Sequence, residues 1–142
     1  MEAEDWKSYY KDVYGSAWLS ASKEYARENQ LWVYHGILTN LVGVKPGEVV
    51  LDCGIGTGIP FALTFAKLGA VMHGVDISPR LIHECLANFK NEGLVINCQV
   101  GDLEDLPYSD EVFDVVYSMN TTWYVPDLKR ALTEMRRVTK PG

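Results

Sequence analysis

One stretch restricts the fold of this chain more than any other: Leu51-Asp52-Cys53-Gly54-Ile55-Gly56-Thr57-Gly58. Its glycines permit a tight turn at positive φ, and without Cβ atoms the backbone there can approach a ligand closely. Val49-Val50-Leu51-Asp52-Cys53 runs into this turn as a nearly continuous apolar segment, the pattern of a strand buried on both faces. A helical pattern leaves it from about Ile59 to Leu68, with Pro60 near its first turn and Gly69 past its end. The helix start adds free N–H groups and a positive dipole end at the same point.

The rest of the chain repeats the alternation. Val71 to Asp76 reads as a second strand, and Ser78 and Pro79 take the N-cap and N1 positions of a helix whose apolar face is Leu81, Ile82, Cys85, Leu86 and Phe89. Gly93 ends that helix, Val95 to Val100 is a third strand, and Val112 to Met119 a fourth. A last helix starts at an Asp127 cap and carries Leu128, Ala131, Leu132, Met135 and Val138. Strands alternating with helices predict an α/β fold, a parallel sheet covered by helices on both sides. Residues 1–43 differ in character: they are helix-like and hold Trp6, Tyr9, Tyr10, Tyr14, Trp18, Tyr25, Trp32 and Tyr34. Leu31, Tyr34, Leu38 and Leu41 recur there at helical spacing, and Gly43 is a C′ stop. We therefore expect an N-terminal helical lid or substrate region over 1–43 and a core over 44–142, one domain overall.

Carboxylates give the glycine turn its chemistry. Asp76 ends the second strand 22 residues after Gly54, near the ~20 expected for an acid that accepts bonds from ribose hydroxyls. Gly101-Asp102-Leu103 closes the third strand. Asp52, Asp76 and Asp102 thus fall at three successive strand ends, the edge where open α/β sheets bind ligands. A dinucleotide turn, G-x-G-x-x-G, would need glycine at position 59, which is Ile59. A carboxylate two residues before the first glycine suits a ligand carrying positive charge, a sulfonium or an ammonium.

Charge and composition limit the partners. The 142 residues hold 13 Lys and Arg against 19 Asp and Glu, a net charge of −6, with no basic cluster for nucleic acid. Cys53, Cys85 and Cys98 lack C-x-x-C spacing, which disfavours a disulfide framework or a zinc site and leaves them as small buried hydrophobes. No apolar run approaches the ~20 residues of a membrane span, and Met1-Glu2-Ala3-Glu4-Asp5 has the wrong charge for a secretory leader, so a cytoplasmic location is expected.

Taken together, Val49 to Gly142 resembles a class I S-adenosyl-L-methionine-dependent methyltransferase of the small methyltransferase-domain type. The resemblance rests on Leu51 to Gly58, Val75-Asp76-Ile77-Ser78, the segment Gly101 to Tyr108, Phe113-Asp114-Val115-Val116, and Arg137 to Gly142, in that order. It implies a Rossmann-like doubly wound sheet of strand order 3-2-1-4 and binding of S-adenosyl-L-methionine, with S-adenosyl-L-homocysteine as product. By the same resemblance, backbone at Gly54 and Gly56 faces the methionine part, Gly58 belongs to the same cofactor-binding turn, and Asp52 supports it. Asp76 takes the ribose hydroxyls, Ile77 packs on adenine, Asp102 accepts from the adenine amino group, and the Leu103 N–H meets the ring. Ser118 and Met119 lie near the methionine amino group and the methyl, and Tyr14 and Trp18 in the lid contact cofactor or substrate.

The sequence departs from that family at Lys140-Pro141-Gly142, where a fifth strand would begin. The fourth strand is then expected to be an uncovered apolar edge: either the chain is a fragment of a longer protein, or a homodimer, a strand swap or a partner chain satisfies that edge. No general base is fixed by a motif. His73 and His83 read as structural, and His35 in the aromatic N-terminal segment is the weak candidate. Asn120-Thr121-Thr122-Trp123-Tyr124 lacks the prolines carried there by enzymes that methylate nucleic-acid bases, which points to a small-molecule acceptor. A non-catalytic cofactor-binding module is the alternative, and a nicotinamide-dinucleotide domain is disfavoured by Ile59 and Asp52.

Overall fold

In the computed structural model, residues 3–14 and 39–142 are described. Their centre is a four-stranded parallel sheet of β1 (Val49–Cys53), β2 (Val71–Asp76), β3 (Asn97–Val100) and β4 (Val115–Tyr117), in the order β3-β2-β1-β4. The register sets Val50 beside Met72 on one side and Val115 on the other, and Asp76 beside Val100. This is the Rossmann-like arrangement and strand order expected from the sequence.

Period-two alternation along β1 feeds two cores. Val50 joins Phe65, Met72, Ile82, Cys85 and Phe89 on one face, while Leu51 and Cys53 join Val75, Phe113, Ala131 and Val138 on the other. Each fully buried Phe or Leu contributes roughly 1.5–3 kcal/mol by leaving water. The helices that supply these side chains are α2 (Phe61–Lys67), α3 (Pro79–Asn91) and α4 (Leu128–Val138). At the start of α3 the Ser78 side chain accepts from the Leu81 N–H, with Pro79 in the first turn, and Gly93 follows the helix at φ +68°. Asp127 caps α4 by accepting from the Arg130 N–H at 2.9 Å. Both caps stand where the sequence places them.

Several boundaries differ. The helix expected from Ile59 begins at Phe61, with Pro60 as its N-cap. β3 starts at Asn97, and Val95 is exposed. β4 is only Val115–Tyr117, because Val112 and Phe113 bond instead to the chain leaving α4: both donate to Val138 O, and Lys140 N–H donates to Phe113 O. Phe113 forms a parallel bridge with Thr139. The fourth strand's leading edge is therefore covered by residues 138–140, which corrects the expectation of a wholly bare edge. Leu86, Leu128 and Leu132, assigned to helix core faces, are exposed, as is Leu41. Near the N-terminus α1 (Ala3–Ser8) passes into a π-helical turn, Tyr9–Tyr14, and residues 39–42 are helical up to Gly43 at φ +64°. Among the described residues no helix is long and apolar enough to cross a membrane.

Candidate functional site

A cleft of about 460 Å³ opens at the carboxyl ends of the strands, within the size range of small-molecule sites. Its floor is the turn after β1. Gly54, Gly56 and Gly58 all have positive φ, at +80°, +58° and +76°. Their close approaches differ. A Cβ at Gly54 would run into the Thr121 side chain, whose Oγ1 donates to Gly54 O at 3.1 Å. A Cβ at Gly58 would stand 2.8 Å from Cys85 Sγ and 3.0 Å from the Phe89 ring. That glycine lets α3 pack under the turn. Gly56 N–H donates to Asp76 Oδ2 at 2.9 Å, so the turn and the carboxylate at the end of β2 are bonded directly.

The three carboxylates do converge on this cleft. Asp76 is buried, and its Oδ1 accepts from the Ser78 N–H at 2.9 Å. Burial raises its pKa against the pull of the backbone donors of Ser78, Gly56 and Ile77. Asp52 is buried too, and Tyr117 Oη donates to its Oδ2 at 2.7 Å. Burial pushes the Asp52 carboxyl up to about 7, the Tyr117 hydroxyl opposing and the Asp76 charge adding to the rise. A carboxyl poised near neutrality beside a cleft gains its charge most readily when a cation enters. Asp102 accepts from the Glu104 N–H at 2.9 Å on Oδ1 and pairs with Lys7 Nζ at 2.6 Å on Oδ2.

Long-range polar bonds hold the adenine-side segment in place. Glu104 accepts from Lys7 Nζ (2.9 Å) and the Asp127 N–H (3.0 Å), and its carbonyl accepts from Arg130 Nε (2.7 Å). Arg137 donates to the carbonyls of Leu106 and Tyr108 and to the carboxylates of Asp110 and Glu134. α1, α4 and the chain after β3 are thereby fixed around Asp102. At the mouth, Tyr10, Trp123 and Tyr124 line the cleft, with the Tyr10 and Tyr124 rings 4.9 Å apart.

Among the residues singled out from the sequence, Asp52, Gly54, Gly56, Gly58, Asp76, Ile77, Asp102, Leu103 and Met119 line the cleft. Ser118 is not among the lining residues; its hydroxyl donates to Cys53 O at 2.7 Å and ties β4 to β1. The Tyr14 side chain, Trp18 and His35 lie outside the described residues. His73, placed in a buried strand by sequence, is half-buried against Phe113, and burial lowers its pKa. Lys7, Tyr10, Tyr117, Thr121 and Glu104 were not singled out, since each acts through a partner far away in sequence.

Comparison with known proteins agrees with this geometry. Residues 51–142 match the family model described as a methyltransferase domain. Sterol methyltransferase-like 1 of Botryococcus braunii is 32% identical over 139 residues, covering 92% of this chain and 36% of that protein. The 24-methylenesterol C-methyltransferase 3 of Arabidopsis thaliana is 31% identical over 112 residues, covering 78% of this chain and 31% of that protein. The chain thus spans about a third of the length of these curated relatives. Among solved structures, the [4+2]-cyclase SpnF superposes with a TM-score of 0.72 at 28% identity, over 77% of this chain and 41% of that one. A SAM-dependent methyltransferase from Aquifex aeolicus shares the fold, with a TM-score of 0.76 at 20% identity over 86% of this chain and 67% of that one. With residues 51–142 matched to that model and the strand order of the fold in place, the chain belongs to the methyltransferase-domain family of class I S-adenosyl-L-methionine-dependent enzymes.

Proposed function

We propose that this protein transfers the methyl group of S-adenosyl-L-methionine to a small-molecule acceptor. The observation that carries the reading is the glycine turn bonded to Asp76 at the floor of a cleft lined by three carboxylates. The donor set fits the cofactor. The Asp76 oxygens offer about four lone-pair sites, and the Gly56 and Ser78 N–H groups hold one on each, leaving acceptor capacity for ribose hydroxyls. Ile77 and Leu103 give apolar surface for a purine. Asp52 and Asp76 supply negative charge beside a cationic ligand.

The bound cofactor supplies an electrophilic sulfonium methyl. The chain's own part is to bind, orient and exclude water. Asp76 holds the ribose, Asp102 accepts from the adenine amino group while Lys7 and the Glu104 N–H hold its carboxylate in place, and backbone at Gly54 and Gly56 faces the methionine part. Met119 lies on the reacting side. Residues 1–43 act as the lid, with Lys7 and Tyr10 at the cleft and Tyr14 and Trp18 further along the same segment. Fixing an acceptor at near-attack distance behind the methyl supplies most of the rate, and a base is required only for an acceptor of high pKa. For that role His35 is the proposed candidate.

The test is incubation with methyl-labelled S-adenosyl-L-methionine and a small-molecule extract, followed by chromatography. Label in a new low-mass product, lost with Asp76→Ala, is the expected result. Tight cofactor binding with all label left in the cofactor would move the protein to the cofactor-binding-module reading.

A further inference from the structure

We propose that the acceptor side of the cleft takes a flat, uncharged, largely apolar molecule, seated against an aromatic collar of Tyr10, Trp123 and Tyr124. The inference deepens the methyl-transfer reading and rests on it for what lies beside the acceptor; the collar itself is read from the structure.

Placement comes first. Trp123 and Tyr124 sit on a short 3-10 turn, Thr122–Tyr124, that begins at Thr121. Thr121 is bonded to Gly54 O, and the Tyr124 N–H donates to Thr121 O at 3.0 Å, so the turn is anchored to the cleft floor. Across from it, Tyr10 meets Tyr124 at 4.9 Å with planes tilted 47°, and Trp6 stacks behind Tyr10 at 5.8 Å and 14°. The collar therefore joins the N-terminal helical segment to the loop after β4. Trp123 is 79% exposed although it lines the cleft. An indole covers about 150–250 Å² of apolar surface when it is packed. Here that surface faces outward at a site continuous with the cleft, and Ile59, Pro60 and Phe61 line the same cavity.

Charge then narrows the class. Among the described lining residues the charged side chains are Asp52, Asp76, Asp102 and Lys7, and Lys7 is engaged with Asp102 and Glu104. An anionic acceptor would find, among the described lining residues, no cationic side chain but Lys7, which Asp102 and Glu104 already hold. A cationic acceptor would have to approach a sulfonium of its own sign. An uncharged ring system meets neither penalty, and it gains offset stacking against the collar.

Three probes that share one ring system test this: 2-naphthol, 2-naphthoate and (2-naphthylmethyl)ammonium, titrated calorimetrically into the full chain alone and with S-adenosyl-L-methionine, which carries the sulfonium. In the presence of S-adenosyl-L-methionine the naphthol is expected to bind at least about tenfold more tightly than either charged probe, and Trp123→Ala to weaken it about tenfold. Tyr124→Leu is the second variant, and circular dichroism checks that both fold. Equal or tighter binding of a charged probe, or naphthol affinity unchanged in both variants, overturns the proposal. The two readings fail separately. Naphthol binding that both variants weaken, in a chain that does not bind S-adenosyl-L-methionine, would sink methyl transfer and leave the collar standing. Cofactor binding without naphthol selectivity would sink the collar alone.

Discussion

Replacing Tyr117 by Phe tests how the cleft's central acid is held. The hydroxyl donates to Asp52 Oδ2 at 2.7 Å, inside a core where Asp52 is only 5% exposed. The Tyr117 ring stays packed on Phe65, 5.4 Å away and edge-on, so the change removes the bond and little else. A buried hydrogen bond to a charged group contributes about 1.5–3 kcal/mol, against about 1 kcal/mol for a neutral pair. Asp52 titrates at about 7 in the folded chain and near 3.9 when unfolded, so the folded state binds its proton more tightly. Its contribution to stability is therefore full below about pH 4 and falls as the pH rises through 7. Tyr117→Phe extends that fall upward, because the ionised carboxylate has lost its donor. Urea unfolding should show a loss of about 1.5–3 kcal/mol at pH 8 and about 1 kcal/mol at pH 5. In an Asp52→Asn background the pH dependence of the loss should vanish. An equal loss at both pH values in the wild-type background would refute the argument.

Three further perturbations probe other parts of the account. Asp76→Ala should weaken S-adenosyl-L-homocysteine binding by about 1–3 kcal/mol, roughly five- to 150-fold, in a calorimetric titration; unchanged affinity would remove Asp76 from the ribose role. Gly56→Val, at φ +58° and next to Asp76, should abolish binding while the far-ultraviolet circular dichroism persists, and tight binding by the variant would contradict the close-approach argument. Arg137→Lys should lower the unfolding free energy by about 1–3 kcal/mol, since an ammonium cannot reproduce the forked donation to Leu106, Tyr108, Asp110 and Glu134. A lysine variant as stable as the wild type would show that this fork is dispensable.

What could be read from the sequence was local. β1 and β2 have the expected ends because a continuous apolar run bounded by glycine or by a carboxylate marks its own limits. The Ser78 and Asp127 caps follow from side chains bonding three residues ahead. The ends of β3 and β4 are decided by pairing partners instead. Val112 and Phe113 look like strand but bond to Val138, about 25 residues on, and so β4 shortens. In the cleft, the strand-end acids were legible because topology alone brings strand ends together. Tyr117, 65 residues from Asp52, and Lys7, 97 residues from Glu104, carry no local signal that names their partners. Ser118 falls at the expected strand end, but the bond from its hydroxyl across to Cys53 O is again a contact distant in sequence, with no local signal. The turn glycines were read as places where a ligand approaches the backbone; the close neighbours of Gly54 and Gly58 in the structure are Thr121 and α3.

The central claim is that the turn after β1 and the acids at the strand ends form a site for the S-adenosyl cofactor and its product. A calorimetric titration of this chain with S-adenosyl-L-homocysteine, with NAD as the control, tests it most directly. The account predicts micromolar binding, about −8 kcal/mol, for the first and none for the second. A folded chain that ignores S-adenosyl-L-homocysteine, or binds NAD equally well, would contradict it.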